Sequence, residues 1–112
     1  MIVSLGKVTA TAGQPRDILE NLSHLRNQKT KCNSVFLQAA PGNSGRVHIG
    51  AKGLDKVTLK NVWAILPANV ASTSVPAIRF DITNVPNPYT LQEFFFDVDN
   101  TGEGICGNFQ YA

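Results

Sequence analysis

The sequence has few charges, few cysteines and no long apolar run. Charged residues make up 16% of the 112 residues, and the two cysteines are Cys32 and Cys106. Two cysteines cannot build a disulfide framework, and no CxxC pair indicates a redox or metal site, so we expect free buried thiols. No stretch approaches the roughly 20 apolar residues that cross a bilayer. Lys7 interrupts the apolar start, so we see no signal peptide and expect a soluble, intracellularly made protein with no membrane association.

Motifs of catalysis and nucleotide binding are also missing. The sequence contains no P-loop, no GxGxxG, no Cys/His metal cluster and no paired carboxylates with evident acid and base roles. We therefore expect neither a catalytic site nor a cofactor or metal. The length suits one domain over residues 1–112 and is about half of what a two-barrel serine protease needs.

The charges that are present are unevenly distributed. Residues 1–60 carry nine Lys and Arg against three acids, whereas residues 61–112 carry one Arg against five acids. Such polarity can present one sign of charge to a partner. It disappears if the fold interleaves the two halves, which is common in β topologies. The basic stretch at 26–31 has no aromatic residues within it, so we expect no nucleic-acid binding.

Short β-branched and aromatic segments alternate with turn-forming residues, which predicts an all-β protein. We predict a single-domain jelly-roll-like sandwich or barrel of about eight short strands. Ile18, Leu19 and Leu22 have helical spacing and allow one short helical turn near residues 16–24. The predicted strands lie at 2–12 (as one strand or two), 34–40, 46–50, 77–83, 91–99 and 105–111, and the segment 57–67 contains a further strand. Alternation places Val35, Leu37 and Ala39 on one face of their strand, and Ile78, Phe80 and Ile82 on the inner face of theirs. Loops or turns are predicted at 26–33, 41–45, 51–56, 68–76, 84–89 and 100–104.

Residues 42–45, with the letters GNSG, resemble the stretch that presents the nucleophile of trypsin-like serine proteases. A catalytic Ser44 would need a His base and an Asp orienter. Asp17 and His24 lie upstream, but His24 has none of the usual surroundings of such a base. His48 follows Ser44 by four residues, without an evident third member.

A turn explains the same segment better than catalysis does. The flanking segments, 34–40 and 46–50, both have strand character, and the residues between them are turn formers. We therefore predict a β-hairpin whose turn is formed by 41–45, with Asn43 and Gly45 as the residues that tolerate positive φ.

The segment 97–104, DVDNTGEG, partly matches a calcium-binding loop. Asp97 and Asp99 occupy the first and third positions of an EF-hand loop, but Asn108 stands where a bidentate Glu is required. Two interpretations stay open. The segment is either a hairpin turn with exposed acids, or a weak Ca²⁺ or Mg²⁺ site of another type that uses Asp97, Asp99 and Glu103.

Three consecutive phenylalanines lie at 94–96. In a strand, Phe94 and Phe96 point to one face and Phe95 points to the other. Both faces of this strand should therefore be covered. The core covers one face, and either a loop or a partner molecule covers the other.

Two longer segments carry a family resemblance. Val35–Gly50 reads VFLQAAPGNSGRVHIG and matches a hairpin pattern Q-A-x-P-G-N-x-G-x-V-x-[IV]-G. Asn87–Gly104 reads NPYTLQEFFFDVDNTGEG and matches N-P-x-x-L-x-E-x-[FY]-x-D followed by G-E-G. Together they cover about a third of the chain. The sequence resembles small β-rich head proteins of tailed double-stranded DNA phages, and is most similar to the capsid decoration (cement or staple) proteins of short-tailed phages.

The resemblance implies a jelly-roll-like structural protein in many copies on the outer capsid surface of the virion, made in the bacterial host cytoplasm. Its expected partner is the major capsid protein, whose subunits it would bridge, with self-association at local symmetry axes. The expected contact elements are the strand region 2–12, the basic loop 26–31 and the turn 51–56. The expected capsid contacts are Ile2, Val3, Arg26, Lys29, Lys31, Lys52, Lys56 and Phe95.

Two other functions compete with decoration. A tail, adaptor or baseplate component would need the same inert β body. A carbohydrate- or receptor-binding jelly roll would expose aromatic platforms, for which Trp63, Tyr89 and Tyr111 are the available residues.

Overall fold

The computed structural model describes residues 2–25, 31–69, 76–81 and 89–111, and the backbone alone at Tyr89. Within these ranges, all regular structure apart from two short 3-10 segments consists of antiparallel strands. The strands are β1 (Ile2–Ser4), β2 (Val8–Thr9), β3 (Arg16–Asp17), β4 (Lys31–Ala39), β5 (Val47–Gly50), β6 (Val62–Leu66), β7 (Ala77–Asp81), β8 (Tyr89–Thr90), β9 (Phe95–Val98) and β10 (Gly104–Tyr111), and the 3-10 segments are Glu20–Leu25 and Leu91–Glu93.

The order of the strands is that of a jelly roll. One sheet has the order β1-β10-β4-β7, with β2 beside β10 and β8 beside β4, and the other has the order β3-β9-β5-β6. The pairings are nested along the chain: β1 pairs with β10, β3 with β9, β4 with β7 and β5 with β6. Nested antiparallel pairs wrapped into two facing sheets are the hallmark of a jelly roll. The predicted fold class is confirmed.

The core lies between the sheets and follows the predicted alternation. In β4 the side chains of Val35, Leu37 and Ala39 are fully buried. Ile78 and Phe80 of β7 pack against the same core. The two halves of the chain interleave, because β4 lies between β10 and β7.

The N-terminal region forms two short strands, which is one of the two arrangements predicted for 2–12. Gly6 lies between β1 and β2 with a φ of +68°, a value that suits glycine. The predicted helical turn begins later than expected, because Arg16–Asp17 pairs with β9 before the chain turns. The turn is of the 3-10 type over Glu20–Leu25 and is interrupted at Leu22, whose φ is −126°.

Three predicted boundaries are wrong, and one of them is at Tyr89, which belongs to β8 and not to the irregular segment expected at 84–89. The loop expected at 26–33 ends earlier, because β4 begins at Lys31 and places Cys32 in the core. The strand expected at 91–99 begins at Phe95, because Leu91–Glu93 forms a 3-10 turn. Phe94 and Phe96 are nevertheless both buried and Phe95 is half-buried, as the alternation predicted.

The predicted hairpin over 34–50 is wrong, and so is the hairpin interpretation of 97–104. β4 and β5 lie in different sheets, and so do β9 and β10. Local turn residues reveal that the chain reverses but not which sheet the next strand joins. Here both connections cross between the sheets at a corner of the sandwich. The positive φ of the first connection lies at Gly42, at +87°, instead of at Asn43 or Gly45.

Some predictions fall outside the described residues. These are the basic residues Arg26 and Lys29, the middle of the predicted loop at 68–76, the end of the predicted strand at 77–83, and most of the irregular segment at 84–89.

Candidate interaction surface

The two sheet-crossing connections meet and bond to each other. We call residues 40–46 and 99–104 together the corner cluster. The carboxylate of Glu103 accepts hydrogen bonds from the amides of Ser44 at 2.7 Å and Gly45 at 2.9 Å. The Ser44 hydroxyl donates to the same carboxylate at 3.0 Å and accepts from the Asn100 side-chain amide at 2.9 Å. One acidic side chain thus holds the two connections together.

A buried asparagine forms the second link of the corner cluster. Asn43 is only 2% exposed. Its side-chain amide donates to the Gly104 carbonyl at 2.7 Å, and its side-chain oxygen accepts from the Gly104 amide at 3.3 Å. The Asn43 carbonyl accepts from the Asn69 amide at 2.9 Å, which ties the start of the β6–β7 connection to the same corner. Asn43 therefore joins three chain segments.

These contacts define the role of Ser44. Among the described residues, its hydroxyl is bonded to Glu103 and Asn100, not to an imidazole. The backbone amides of Ser44 and Gly45 outweigh the effect of burial and lower the pKa of Glu103, so this carboxylate is charged when it accepts their bonds. The charged Glu103 carboxylate therefore links the two connections through hydrogen bonds, which agrees with the interpretation of residues 42–45 as a turn.

The three acids of the proposed cation site point to separate partners. Asp97 accepts from the amides of Gly13 at 3.0 Å and Val98 at 2.8 Å, and Asp99 accepts from the Arg46 guanidinium at 3.1 Å. Glu103 is bonded within the corner cluster. Within the described ranges, no group of three or more His, Cys, Asp or Glu side chains is arranged to hold a metal ion. Asp97 is 2% exposed, so the expectation that these acids are exposed is wrong for it.

A buried histidine lies on the outer face of the four-stranded sheet. His48 pairs with Asp97 on one side and Ile65 on the other. It is 1% exposed, and its Nδ1 atom has no hydrogen-bond partner among the described residues, with Asp99 Oδ1 3.9 Å away. Burial lowers the pKa of His48, and the attraction of Asp99 only partly opposes this effect. The imidazole is therefore neutral at neutral pH.

The sequence did not reveal that His48 is buried. Strand alternation places it opposite Val47 and Ile49, on the outer face. The β5–β6 connection, residues 51–61, extends over that face and is anchored there by Lys56. The Lys56 amine donates to the Val98 carbonyl of β9 at 2.8 Å and lies 3.9 Å from Asp99.

The β5–β6 connection is bonded mainly to itself. One carboxylate oxygen of Asp55 accepts from the amides of Val57 at 2.8 Å and Thr58 at 3.3 Å. These backbone bonds lower the pKa of Asp55. The Asp55 carbonyl accepts from the Leu59 amide at 2.8 Å, and the Asp55 amide donates to the Lys60 carbonyl at 2.9 Å. Leu59 has a positive φ of 64°, which is unfavourable for a leucine.

The same connection displays apolar side chains to solvent. Val57 is 85% exposed and Leu59 is 50% exposed, and both are large aliphatic residues. Lys52 and Lys60 are exposed on the same connection. Ile65, an exposed residue of β6, extends the apolar character onto the neighbouring strand. We call the side chains of Val57, Leu59, Lys52 and Lys60 the loop surface.

The exposed aromatic residues do not form a shared platform. The ring of Trp63 packs edge-on against Phe80 at 6.0 Å and Phe94 at 5.3 Å. Tyr111, at the end of β10, packs edge-on against Phe109 at 5.0 Å. In these edge-on contacts, both rings pack against other aromatic side chains of the protein. The side chain of Tyr89 lies outside the described residues.

The expected capsid contacts are dispersed over the molecule. Ile2 is 69% exposed at the β1 edge, and Val3 is half-buried against the core. Lys31 is exposed and donates to the Thr90 hydroxyl at 3.2 Å. Phe95 lines a shallow cavity of about 150 Å³ together with Asp17, Leu19 and Gln92. Lys52 belongs to the loop surface, whereas the amine of Lys56 is directed inward.

No protein-family model, curated protein or solved structure matches the chain.

Within the part of the chain that the structure describes, no helix has the length and apolar character needed to cross a membrane. Cys32 and Cys106 are not joined in a disulfide, and burial raises the pKa of Cys32 to about 11.

Proposed function

We propose that this protein is a non-enzymatic structural component of a tailed-phage virion that decorates the outer capsid surface and bridges subunits of the major capsid protein. The observation that carries the proposal is the corner cluster. Ser44 and Glu103, which suggested chemistry in the sequence, are bonded there to each other and to backbone, and Asn43 adds a buried link. A body stabilised in this way suits a passive clamp.

A clamp also needs contact surfaces on two sides. Ile2 is exposed on the outer face of the six-stranded sheet, whereas the loop surface lies with the four-stranded sheet. The edge strand β1 could add to a neighbouring sheet through main-chain hydrogen bonds. Many weak contacts of this kind, repeated over a shell, add through multivalency. The family resemblance in Val35–Gly50 and Asn87–Gly104 supplies the capsid as the partner.

The test is deletion of the gene in the phage that encodes the chain. Decoration predicts heads that assemble but lose DNA on heating or on chelation of divalent cations. It also predicts hundreds of copies of the chain in each wild-type virion, measured by quantitative mass spectrometry and located by cryo-electron microscopy. Unchanged head stability would contradict the proposal. A dozen copies or fewer at the portal would support a tail or adaptor component instead.

A further inference from the structure

We infer that the loop surface is the face through which this protein docks on its partner, and that the partner presents an acidic protein surface with an apolar recess. The inference rests on the proposed function and specifies which part of the molecule makes the contact. Three observations on residues 51–61 support the inference: the exposure of apolar side chains, the charge of the lysines and the backbone conformation.

Exposure singles out the apolar centre of the loop surface. Val57 is 85% exposed and Leu59 is 50% exposed, so neither contributes substantially to the core. Val57 and Leu59 lie two positions apart in the same connection, and their exposed aliphatic surface resembles the apolar centre of a protein interface more than a solvated loop. Burial on a partner would remove this apolar surface from water.

The backbone of Leu59 gives a second reason. Its φ of 64° is unfavourable for a leucine, and the residue nevertheless remains 50% exposed. The bonds around Asp55 hold the connection in this conformation, with Leu59 N to Asp55 O at 2.8 Å. Strain that the fold maintains without a packing benefit indicates a functional constraint. A connection fixed in advance also loses little conformational freedom on binding.

Charge defines the partner. Lys52 and Lys60 flank the apolar side chains in the sequence and are exposed, and within the described residues neither forms an ion pair. The other lysine of the connection, Lys56, is directed towards Val98 and Asp99. The connection carries three lysines against the single acid Asp55, and a net positive charge beside exposed apolar side chains complements an apolar recess bordered by acids. Residues 51–61 contain no aromatic ring on which a nucleic-acid base could stack, which favours a protein partner.

The experiment uses heads from the gene-deletion phage and adds back the purified full-length protein. Binding is measured by co-sedimentation over a range of protein and salt concentrations. Val57→Asp places a charge in the apolar centre, and we expect at least a tenfold loss of affinity. Lys60→Glu should weaken binding and reduce its salt dependence. Arg79→Glu is the control, because Arg79 is an exposed cation on β7, outside the expected contact elements and the loop surface, and it should bind like wild type.

Circular dichroism and thermal melting of each variant establish that it is folded, so that a loss of binding is assigned to the surface. Wild-type binding with unchanged affinity for Val57→Asp and Lys60→Glu would overturn the inference and leave the proposed function standing. Binding that nuclease treatment abolishes would overturn the assignment of a protein partner. Failure of the wild-type protein to bind would contradict the proposed function, and the inference with it.

Discussion

The corner cluster and the β5–β6 connection are both irregular segments, but they are built in opposite ways. In the corner cluster the side chains of Asn43 and Glu103 bond to the backbone of a neighbouring connection. In the β5–β6 connection Asp55 bonds to its own backbone, and Val57 and Leu59 project into solvent. The first arrangement holds two sheets together, whereas the second leaves side chains available to a partner.

The comparison shows that a familiar pattern of residues does not identify the surface that acts. The segments 42–45 and 97–104 suggested a nucleophile and a cation site, yet the described contacts use them as structural staples. The β5–β6 connection has no motif, yet it combines exposed aliphatic residues with an unfavourable backbone conformation. Three substitutions and one exchange measurement test this contrast.

Asn43→Ala should have the largest effect on stability. It removes both side-chain bonds to Gly104. The Gly104 carbonyl keeps its bond from the Ala40 amide, but the buried Gly104 amide loses the bond to Asn43, so we expect a cost of about 2 kcal/mol of unfolding free energy. Urea denaturation measures the loss. Ser44→Ala is the control, because the Ser44 side chain is exposed and its loss should cost about 1 kcal/mol or less. Equal effects of the two substitutions would contradict the importance assigned to the buried link.

His48 should make stability fall with acidification. Its pKa is lowered in the folded protein, so the unfolded chain binds the proton more readily below its ordinary pKa of about 6.5. The free energy of unfolding should therefore be highest above that pH and decrease as the pH falls towards the lowered pKa, by at most about 1.4 kcal/mol per pH unit. Urea denaturation across this range measures the slope.

His48→Gln should reduce this slope. The charged neighbours of His48 are Asp97 and Asp99 on the β9 side, Arg46 at the start of its own strand, and Lys56 from the β5–β6 connection. The pKa of Asp99 is also lowered, but carboxylates titrate near pH 4, so this group changes the free energy of unfolding only at more acidic pH. An equally steep slope in His48→Gln between pH 5.5 and pH 7 would show that another group is responsible.

Leu59→Gly should have the smallest effect on stability. Glycine removes the backbone strain of the positive φ, which stabilises the folded state, but it also makes the unfolded chain more flexible. These two contributions to the free energy of unfolding should cancel to within about 1 kcal/mol. Thermal and urea denaturation test this, with Leu54→Gly as the control. Leu54 is a buried leucine in the same connection, and truncating it should be clearly destabilising. A loss at Leu59 as large as that at Leu54 would mean that Leu59 supports the fold.

The sequence predicted the strands better than it predicted their partners. Alternation correctly placed Val35, Leu37 and Ile78 on the inner face, because the two-residue period is a local property. Whether a turn closes a hairpin or crosses to the facing sheet depends on distant segments. Asn43 bonds to Gly104, which lies 61 positions away, and no local pattern reveals that contact.

The candidate surface was predicted only in part. The turn at 51–56 was recognised as a contact element, and Lys52 lies on the loop surface. Val57 and Leu59 lie in the segment 57–67, where β-branched and aromatic residues predicted a strand, but that strand begins only at Val62. The internal bonds of Asp55 override that preference and turn both side chains outward. Hydrogen bonding within the connection therefore determines its conformation, against the local β-strand propensity.

Native-state hydrogen exchange tests the central contrast most directly. The amide of Gly45, bonded to Glu103, and the amide of Gly104, bonded to Asn43, should be protected nearly to the level of global unfolding. The amides of Val57 and Thr58, bonded to Asp55 in an exposed connection, should exchange through local opening and much faster. Corner-cluster amides that exchange as fast as those of Val57 and Thr58 would contradict the account.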